Sequence, residues 1–216
     1  MAYSSDPQTA VRGFIPPQND DERRLMRRVE ELCRVAQERE IPRYTGFLSD
    51  REQVLASAAC SRAGCTCTRF WGGYPDAERK VLCIEPPDSW QEEPLSVLKF
   101  TAFGDVAPTH RDYLGAILGL GLDRACLGDL LQQPDAPGVF YALVLQDKAE
   151  FIAAELTGAG RATVKTELCD ALPPDLSAGV VRELHEATVP SLRADAVLAA
   201  MMHTSRTKAA EYIAAG

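Results

Sequence analysis

The segment from Leu95 to Leu168 places the strongest constraint on the fold, because its predicted elements follow a regular order. Runs of alternating or continuous apolar residues predict four strands, and two helical stretches lie between them. The predicted strands are Leu95–Ala102, Leu127–Gln132, Val139–Leu145 and Ala162–Leu168, and the two predicted helices are capped by Thr109 and Asp147 and end at about Leu118 and Leu156. The order strand-helix-strand-strand-helix-strand predicts a ferredoxin-like βαββαβ domain over residues 93–170.

RNA-recognition modules share this layout and stack bases on aromatic side chains of their two central strands. The third strand of the predicted domain lies in the segment Gly138-Val-Phe-Tyr-Ala-Leu-Val-Leu145, which is not the aromatic ribonucleoprotein signature. The sequence therefore supports the RNA-recognition-like topology better than it supports base stacking.

Residues 20–87 predict a separate N-terminal α/β region, so we assign the whole chain to the α+β class. A helix is predicted from Asp20 or Asp21 to about Glu40, and the capping-box spacing of Ser49 and Glu52 begins a second helix. Strands are predicted at Thr66–Trp71 and Glu78–Glu85, and residues 1–19 are predicted to be a mobile arm. The outer face of the first helix carries Arg23, Arg24, Arg27 and Arg28. These arginines fit an RNA-facing cluster or, as we favour, a solvated face of i,i+4 ion pairs.

Composition narrows the class of protein. The 216 residues are 46% apolar and 25% charged, which is typical of a globular protein. The sequence has neither a basic, apolar secretory leader nor about 18 consecutive apolar residues, so we predict no membrane association and a cytoplasmic location. The net charge of −8 opposes general binding to nucleic acid, since phosphate affinity comes largely from Lys and Arg. Binding would require a local basic face.

The seven cysteines are interpreted as reduced thiols rather than as metal ligands. Cys60, Cys65 and Cys67 are close in sequence, but no second Cys or His pair follows at zinc-finger spacing. We therefore favour packing thiols over a zinc site, and we predict no metal, no cofactor and no small-molecule substrate.

The C-terminal segment, residues 191–216, predicts two short helices after a linker over residues 171–190. The first begins at about Leu192, with Leu192, Ala196 and Ala199 on its apolar face. The second begins after an N-cap at Ser205, carries Arg206 and Lys208 at its start, and ends at Gly216. Its buried residues are predicted to be Ala209, Tyr212 and Ile213.

This pattern resembles the first half of the S4 RNA-binding domain. In that family an R-x-D helix start is followed by an S-R-x-x-A helix that ends in Gly, and then by a strand. Arg193 and Asp195 match the first motif, and Ser205, Arg206 and Ala209 match the second. Because the sequence ends at Gly216, we expect only the helical half of an S4 domain.

Longer matches extend the resemblance to most of the chain. They are Gly72-Gly-Tyr74 with Ala77-Glu-Arg79, the run Thr109-His-Arg-Asp-Tyr-Leu-Gly-Ala-Ile-Leu-Gly-Leu-Gly121, Leu127-Gly-Asp129 and Ser191–Gly216. Together they resemble the YlmH-type S4-domain RNA-binding proteins of bacteria. The resemblance implies an N-terminal α/β region, an RNA-recognition-like middle domain and a C-terminal S4 domain, and it implies work on the ribosome or on structured RNA.

We therefore predict a non-enzymatic RNA-binding protein that acts on the large ribosomal subunit or on tRNA associated with it. The predicted phosphate contacts of the C-terminal helices are Arg193, Arg206 and Lys208, with Ser205 orienting the second helix. A secondary surface on the rest of the chain is predicted to contain Arg79, Lys80, His110 and Arg111. Two alternatives stay open. The first is an S4-bearing RNA-modifying enzyme, although the sequence contains no synthase motif or cofactor glycine loop. The second is a protein–protein scaffold, which the negative net charge favours.

Overall fold

The computed structural model describes residues 16–87, 89, 93–177 and 186–215. The chain divides into two compact units, residues 1–179 and residues 180–216, which we call the body and the C-terminal hairpin. Residues 1–15 of the predicted arm and residues 178–185 of the predicted linker lie outside the described ranges. Within those ranges no helix is long and apolar enough to cross a membrane.

The N-terminal region of the body is a three-stranded antiparallel sheet that packs against two helices. Its elements are α1 (Asp20–Arg39), β1 (Arg43–Leu48), α2 (Asp50–Arg62), β2 (Thr68–Trp71) and β3 (Lys80–Ile84), with the strand order β1-β3-β2. The Asn19 side chain caps α1, and Ser49 with Glu52 forms the predicted capping box of α2. Met26, Val29 and Leu32 of α1 lie in the core of this region.

Three of the four arginines predicted on the outer face of α1 form local ion pairs, as we favoured. Arg23 pairs with Asp20 at 2.6 Å, Arg24 pairs with Asp21 at 2.8 Å, and Arg28 pairs with Glu31 at 3.1 Å. The spacing is i,i+3 for these pairs, whereas the pair between Arg34 and Glu38 has the predicted i,i+4 spacing. Exposed pairs of this kind contribute little to stability, so this face reads as a solvated helix surface.

The middle domain has the predicted strand and helix order. Its elements are β4 (Leu95–Phe103), α3 (His110–Gly119), β5 (Leu127–Gln132), β6 (Val139–Leu145), α4 (Gln146–Glu155), β7 (Gly158–Ala159) and β8 (Ala162–Cys169), followed by a short helix α5 (Pro174–Ser177). The strands form one antiparallel sheet in the order β5-β6-β4-β8-β7, so the first and third strands of the domain are adjacent at its centre. The α+β fold and this arrangement confirm the prediction.

The two faces of this sheet belong to different cores. Leu98 and Phe100 of β4 face α3 and α4, where Tyr113 stacks on Phe100 with ring centroids 5.3 Å apart. Val97 of β4 and Leu143 of β6 face the opposite side and pack with residues of the N-terminal region. The N-terminal region and the middle domain therefore share a core, and they form one unit.

One local expectation in the body was wrong, and two strands were not predicted. We did not predict β1 or the two-residue strand β7, which pairs with β8 in a tight hairpin. Asp147 does not cap α4, because the N-cap position is Leu145 and Asp147 lies in the first turn. A carboxylate there still favours the helix, since it interacts with the positive end of the helix dipole.

The C-terminal hairpin contains α6 (Ala194–Met201) and α7 (Arg206–Ala215). Ser205 caps α7 as predicted, since its hydroxyl accepts the Lys208 amide at 3.2 Å. Ala196, Ala199 and Ala209 are buried, but Leu192, Tyr212 and Ile213 are exposed, which corrects their predicted burial. The helices make a close contact through alanines, so larger apolar side chains are left outside it.

Candidate nucleic-acid interface

A network around Asp129 joins the N-terminal region to the middle domain. The Asp129 carboxylate accepts hydrogen bonds from the Tyr74 hydroxyl at 2.8 Å, the Glu78 amide at 2.7 Å and the Arg79 amide at 3.1 Å. Tyr74 is buried, and burial together with the bond to Asp129 raises the pKa of its hydroxyl. Three of the motifs that resemble the family therefore meet at this joint, where they stabilise the fold. They are Gly72-Gly-Tyr74, Ala77-Glu-Arg79 and Leu127-Gly-Asp129.

Arg79 also belongs to the joint. Its Nε donates to the Leu127 carbonyl at 3.1 Å, and its Nη2 donates to the Phe47 carbonyl at 2.9 Å. We predicted Arg79 as a phosphate contact, but its half-buried guanidinium is already bound to backbone carbonyls on two elements. The adjacent Lys80 is half-buried at the start of β3, in register with Leu48 of β1.

The start of α3 leaves His110 and Arg111 exposed. Thr109 and Asp112 form a capping box, in which the Asp112 carboxylate accepts the Thr109 amide at 2.8 Å and the Thr109 hydroxyl at 2.7 Å. These bonds from Thr109 lower the pKa of Asp112. The predicted cap is thus confirmed, and the two basic positions next to it are available at the surface.

In the C-terminal hairpin, Asp195 gathers the two predicted arginines. Its carboxylate accepts the Arg206 Nη2 at 2.7 Å and Nε at 3.2 Å, while Arg193 Nε donates to the other oxygen at 3.0 Å. The start of α6 is therefore tied to the start of α7. Both guanidinium groups stay accessible, with side-chain exposures of 71% for Arg193 and 51% for Arg206.

Lys208 adds a third cation to this surface, because it is exposed in the first turn of α7. We call Arg193, Asp195, Arg206 and Lys208 the hairpin cluster. Two of its three cations are bound to the Asp195 carboxylate, so the cluster carries a net positive charge within an acidic protein. The structure brings the four residues predicted for the C-terminal helices, Arg193, Ser205, Arg206 and Lys208, into one small unit.

The Asp195 carboxylate should titrate at unusually low pH. Hydrogen bonds from Arg206 first, and then from Arg193, lower its pKa from 3.8 to about 2. The contribution of these ion pairs to the hairpin is therefore present above about pH 4 and is lost as the pH falls toward 2. We expect an NMR titration of the Asp195 carboxyl carbon to show this low midpoint, and Arg206→Ala to move it upward. Asp112 is the internal control, since Thr109 rather than an arginine is the main cause of its low pKa.

Within the described parts of the chain, no group of three or more His, Cys, Asp or Glu side chains is placed to hold a metal ion. The sulfur atoms of Cys33 and Cys60 are 3.7 Å apart in the N-terminal core. Burial raises the pKa of the Cys33 thiol to about 12. These thiols are therefore unreactive packing groups in the folded protein.

Sequence reasoning did not assign a role to Asp129 or identify Phe103 as an exposed residue. Asp129 had a visible signal, because a carboxylate in a predicted apolar strand needs a polar partner. Phe103 had none, since the predicted strand ended one residue earlier.

Comparison with known proteins agrees with this architecture. Residues 99–171 match the family model described as "Putative RNA-binding domain in YlmH". The chain is 38% identical over 194 residues to the "Ribosome-associated protein quality control protein P2" of Bacillus subtilis, covering 87% of this chain and 73% of that protein. Its fold is similar to that of the "Cell division protein ylmH from Streptococcus pneumoniae", with a TM-score of 0.59, 17% identity, and coverage of 73% of this chain and 96% of the other. From this extended similarity, the chain belongs to the YlmH family.

Proposed function

We propose that this protein is a non-enzymatic RNA-binding protein that acts in association with the ribosome in the cytoplasm. Its targets in this proposal are structured RNA of the large ribosomal subunit or tRNA associated with it. Support comes from the RNA-binding domain matched by residues 99–171 and from the ribosome-associated relative in Bacillus subtilis. The S4-like C-terminal helices supply the main contact, with His110 and Arg111 as a second contact on the body.

The observation that carries the proposal is the hairpin cluster. Arg206 and Lys208 lie in the first turn of α7, which has no acidic residue. Cations at this end of a helix interact unfavourably with the helix dipole, so their placement works against local stability. A phosphate bound there would interact favourably with both the cations and the first amides of the helix. Residues that lower local stability, as these cations do at the positive end of a helix dipole, are expected at functional sites.

Asp195 contributes by orienting the arginines. A guanidinium binds phosphate through two parallel N–H bonds, and a fixed orientation lowers the entropy lost on binding. Because Arg193 and Arg206 share one carboxylate, they are held near each other before RNA arrives. Two such groups and Lys208 would bind adjacent phosphates of a folded RNA backbone.

Arg206→Ala tests this proposal. We expect the variant to bind large-subunit ribosomal RNA about tenfold more weakly, with a salt dependence reduced by about one phosphate contact. Arg28→Ala is the matched control, because it also removes an exposed, ion-paired arginine, but from the α1 surface. Filter binding over a range of salt concentrations measures both quantities.

The same titration distinguishes the alternatives. RNA binding that weakens steeply with salt supports phosphate recognition, whereas a scaffold working through apolar surface would show little RNA binding at any salt concentration. Equal RNA affinities and equal salt slopes for wild type, Arg206→Ala and Arg28→Ala would contradict the role of the hairpin cluster.

A further inference from the structure

One part of the middle sheet is exposed on the face opposite α3 and α4. Lys99, Thr101 and Phe103 of β4 lie on this face, and Thr101 and Phe103 are paired with Lys165 and Thr163 of β8. We call these five residues the open face. Lys99 and Phe103 are four residues apart on one strand, which corresponds to about 13 Å.

The central part of this side of the sheet is covered, whereas Glu167, which is paired with Lys99, is partly exposed. Val97, Tyr141 and Leu143 are buried in a cluster that includes Phe47 of β1 and Leu176 of α5. Tyr141 occupies a central strand, where an RNA-recognition module uses aromatic side chains for stacking, but it is only 6% exposed. Bases could therefore reach the open face but not the ring of Tyr141.

Phe103 is the aromatic side chain of the open face, and it is 56% exposed. Val106, in the loop that leads from β4 to α3, is 63% exposed. Two large apolar side chains close together in sequence and both exposed are unfavourable in water, and an adjacent group that covers them would recover part of that free energy. A nucleobase is such a group, because every base has an aromatic face.

Basic residues lie on the open face and at the end of the sheet where Phe103 lies. Lys99 and Lys165 lie on the open face, and Arg161 is exposed in the turn that precedes β8. That turn lies against the start of α3, since a Cβ added to Gly160 would be 3.1 Å from Asp112 Cγ. Arg111, the neighbour of Asp112, is exposed at the same end of the sheet.

Carboxylates also lie near these cations. Glu167 pairs with Lys165 at 2.8 Å, Asp112 is bound in the α3 capping box, and Asp105 is exposed in the loop. Lys99 and Lys165 therefore lie on the open face and Arg161 lies beside it, in a protein whose net charge is −8. The open face combines an exposed aromatic ring with neighbouring cations, which is the pattern of single-strand nucleic-acid sites.

We propose that the open face binds a single-stranded segment of RNA, with one base stacked on Phe103 and its phosphates near Lys99, Lys165, Arg111 and Arg161. A paired base cannot stack on this ring because its faces are covered by its neighbours in the helix. The inference rests on the proposed function and extends it, since it assigns an unpaired segment of RNA to the open face, next to the second contact at Arg111.

Binding of a short fluorescein-labelled oligouridine to the whole chain tests the inference. We expect Phe103→Ala to weaken this binding about tenfold, because stacking on an aromatic side chain contributes on that scale. Phe103→Trp should retain the affinity. Phe151→Ala is the matched control, since Phe151 is 45% exposed on α4, away from the open face. Ultraviolet cross-linking of oligouridine to wild type should label the peptide that contains Phe103.

The binding measurements separate a failure of this inference from a failure of the proposed function. Unchanged oligouridine affinity in Phe103→Ala, or equal losses in Phe103→Ala and Phe151→Ala, would overturn the inference. If wild type binds ribosomal RNA but not oligouridine, the open face has another partner, such as a protein, and the inference fails while the proposed function stands. If wild type binds neither RNA, both are wrong.

Discussion

Asp129→Ala is expected to lower the free energy of unfolding by about 3 kcal/mol, because it removes the acceptor for three hydrogen bonds at once. The buried Tyr74 hydroxyl loses its partner, and the amides of Glu78 and Arg79 lose theirs. Leaving the buried Tyr74 donor without an acceptor costs more than its bond contributes. Urea denaturation followed by circular dichroism measures the change.

Asp135→Ala is the control for this prediction. Asp135 is an exposed carboxylate in the turn between β5 and β6, so its removal changes the net charge equally without touching the joint. Because the N-terminal region and the middle domain share a core, Asp129→Ala should unfold in one transition rather than two. Equal urea midpoints for the two variants would show that the Asp129 network does not hold the body together.

The middle domain could be predicted because its signals are local. β5 and β6 were predicted to the residue, since each is an apolar run bounded by glycine, proline or a change of period. Thr109 and Ser205 were predicted as caps for a similar reason, because a cap depends on residues within one turn. Local patterns of this kind do not depend on the rest of the fold.

β1 could not be predicted, because its reasons are distant in the sequence. The strand contains Gly46, which disfavours a strand by propensity. The structure requires a glycine there, since an added Cβ would lie 2.8 Å from the Cβ of Ala125. The strand forms because β3 provides its hydrogen-bond partners more than 30 residues later.

The residues of the candidate site could be predicted from the sequence, but the role of each residue could be predicted less well. The basic residues of the C-terminal helices are visible in the sequence, but their organisation by Asp195 needs the distance between two helix starts. Arg79 looks the same in sequence whether it faces solvent or the joint. Its assignment depends on Leu127 and Phe47, which are far away in the chain and close in space.

The residues that match the family divide in the same way between the fold and the surface. Motif residues are kept for folding as well as for binding, and the longest matches here include both kinds. The Gly72-Gly-Tyr74 and Leu127-Gly-Asp129 motifs build the joint, whereas the Arg193, Asp195 and Arg206 set remains at the surface. Testing the joint and the surface separately is therefore necessary before a loss of RNA binding is assigned to either.

Gly73→Ala provides such a test of the joint and is expected to destabilise the body by about 3 kcal/mol. Gly73 has a φ of +91°, which an L-residue rarely adopts, and an added Cβ would lie within 3 Å of the Leu143 side chain. Leu143 is buried in the shared core and has little room to move. Thermal and urea unfolding of the variant measure the loss.

Gly64→Ala separates backbone strain from overlap with Leu143 as causes of the lost stability. Gly64 also has a positive φ, +64°, but nothing lies within 4 Å of its added Cβ. Backbone strain alone should therefore cost about 1 kcal/mol at Gly64, and the additional loss at Gly73 measures the overlap with Leu143. If the two variants were equally stable, backbone strain would account for both, and close packing at Gly73 would not contribute to the joint. RNA affinity of each variant, measured well below its melting temperature, should match wild type, because neither glycine belongs to the hairpin cluster or the open face.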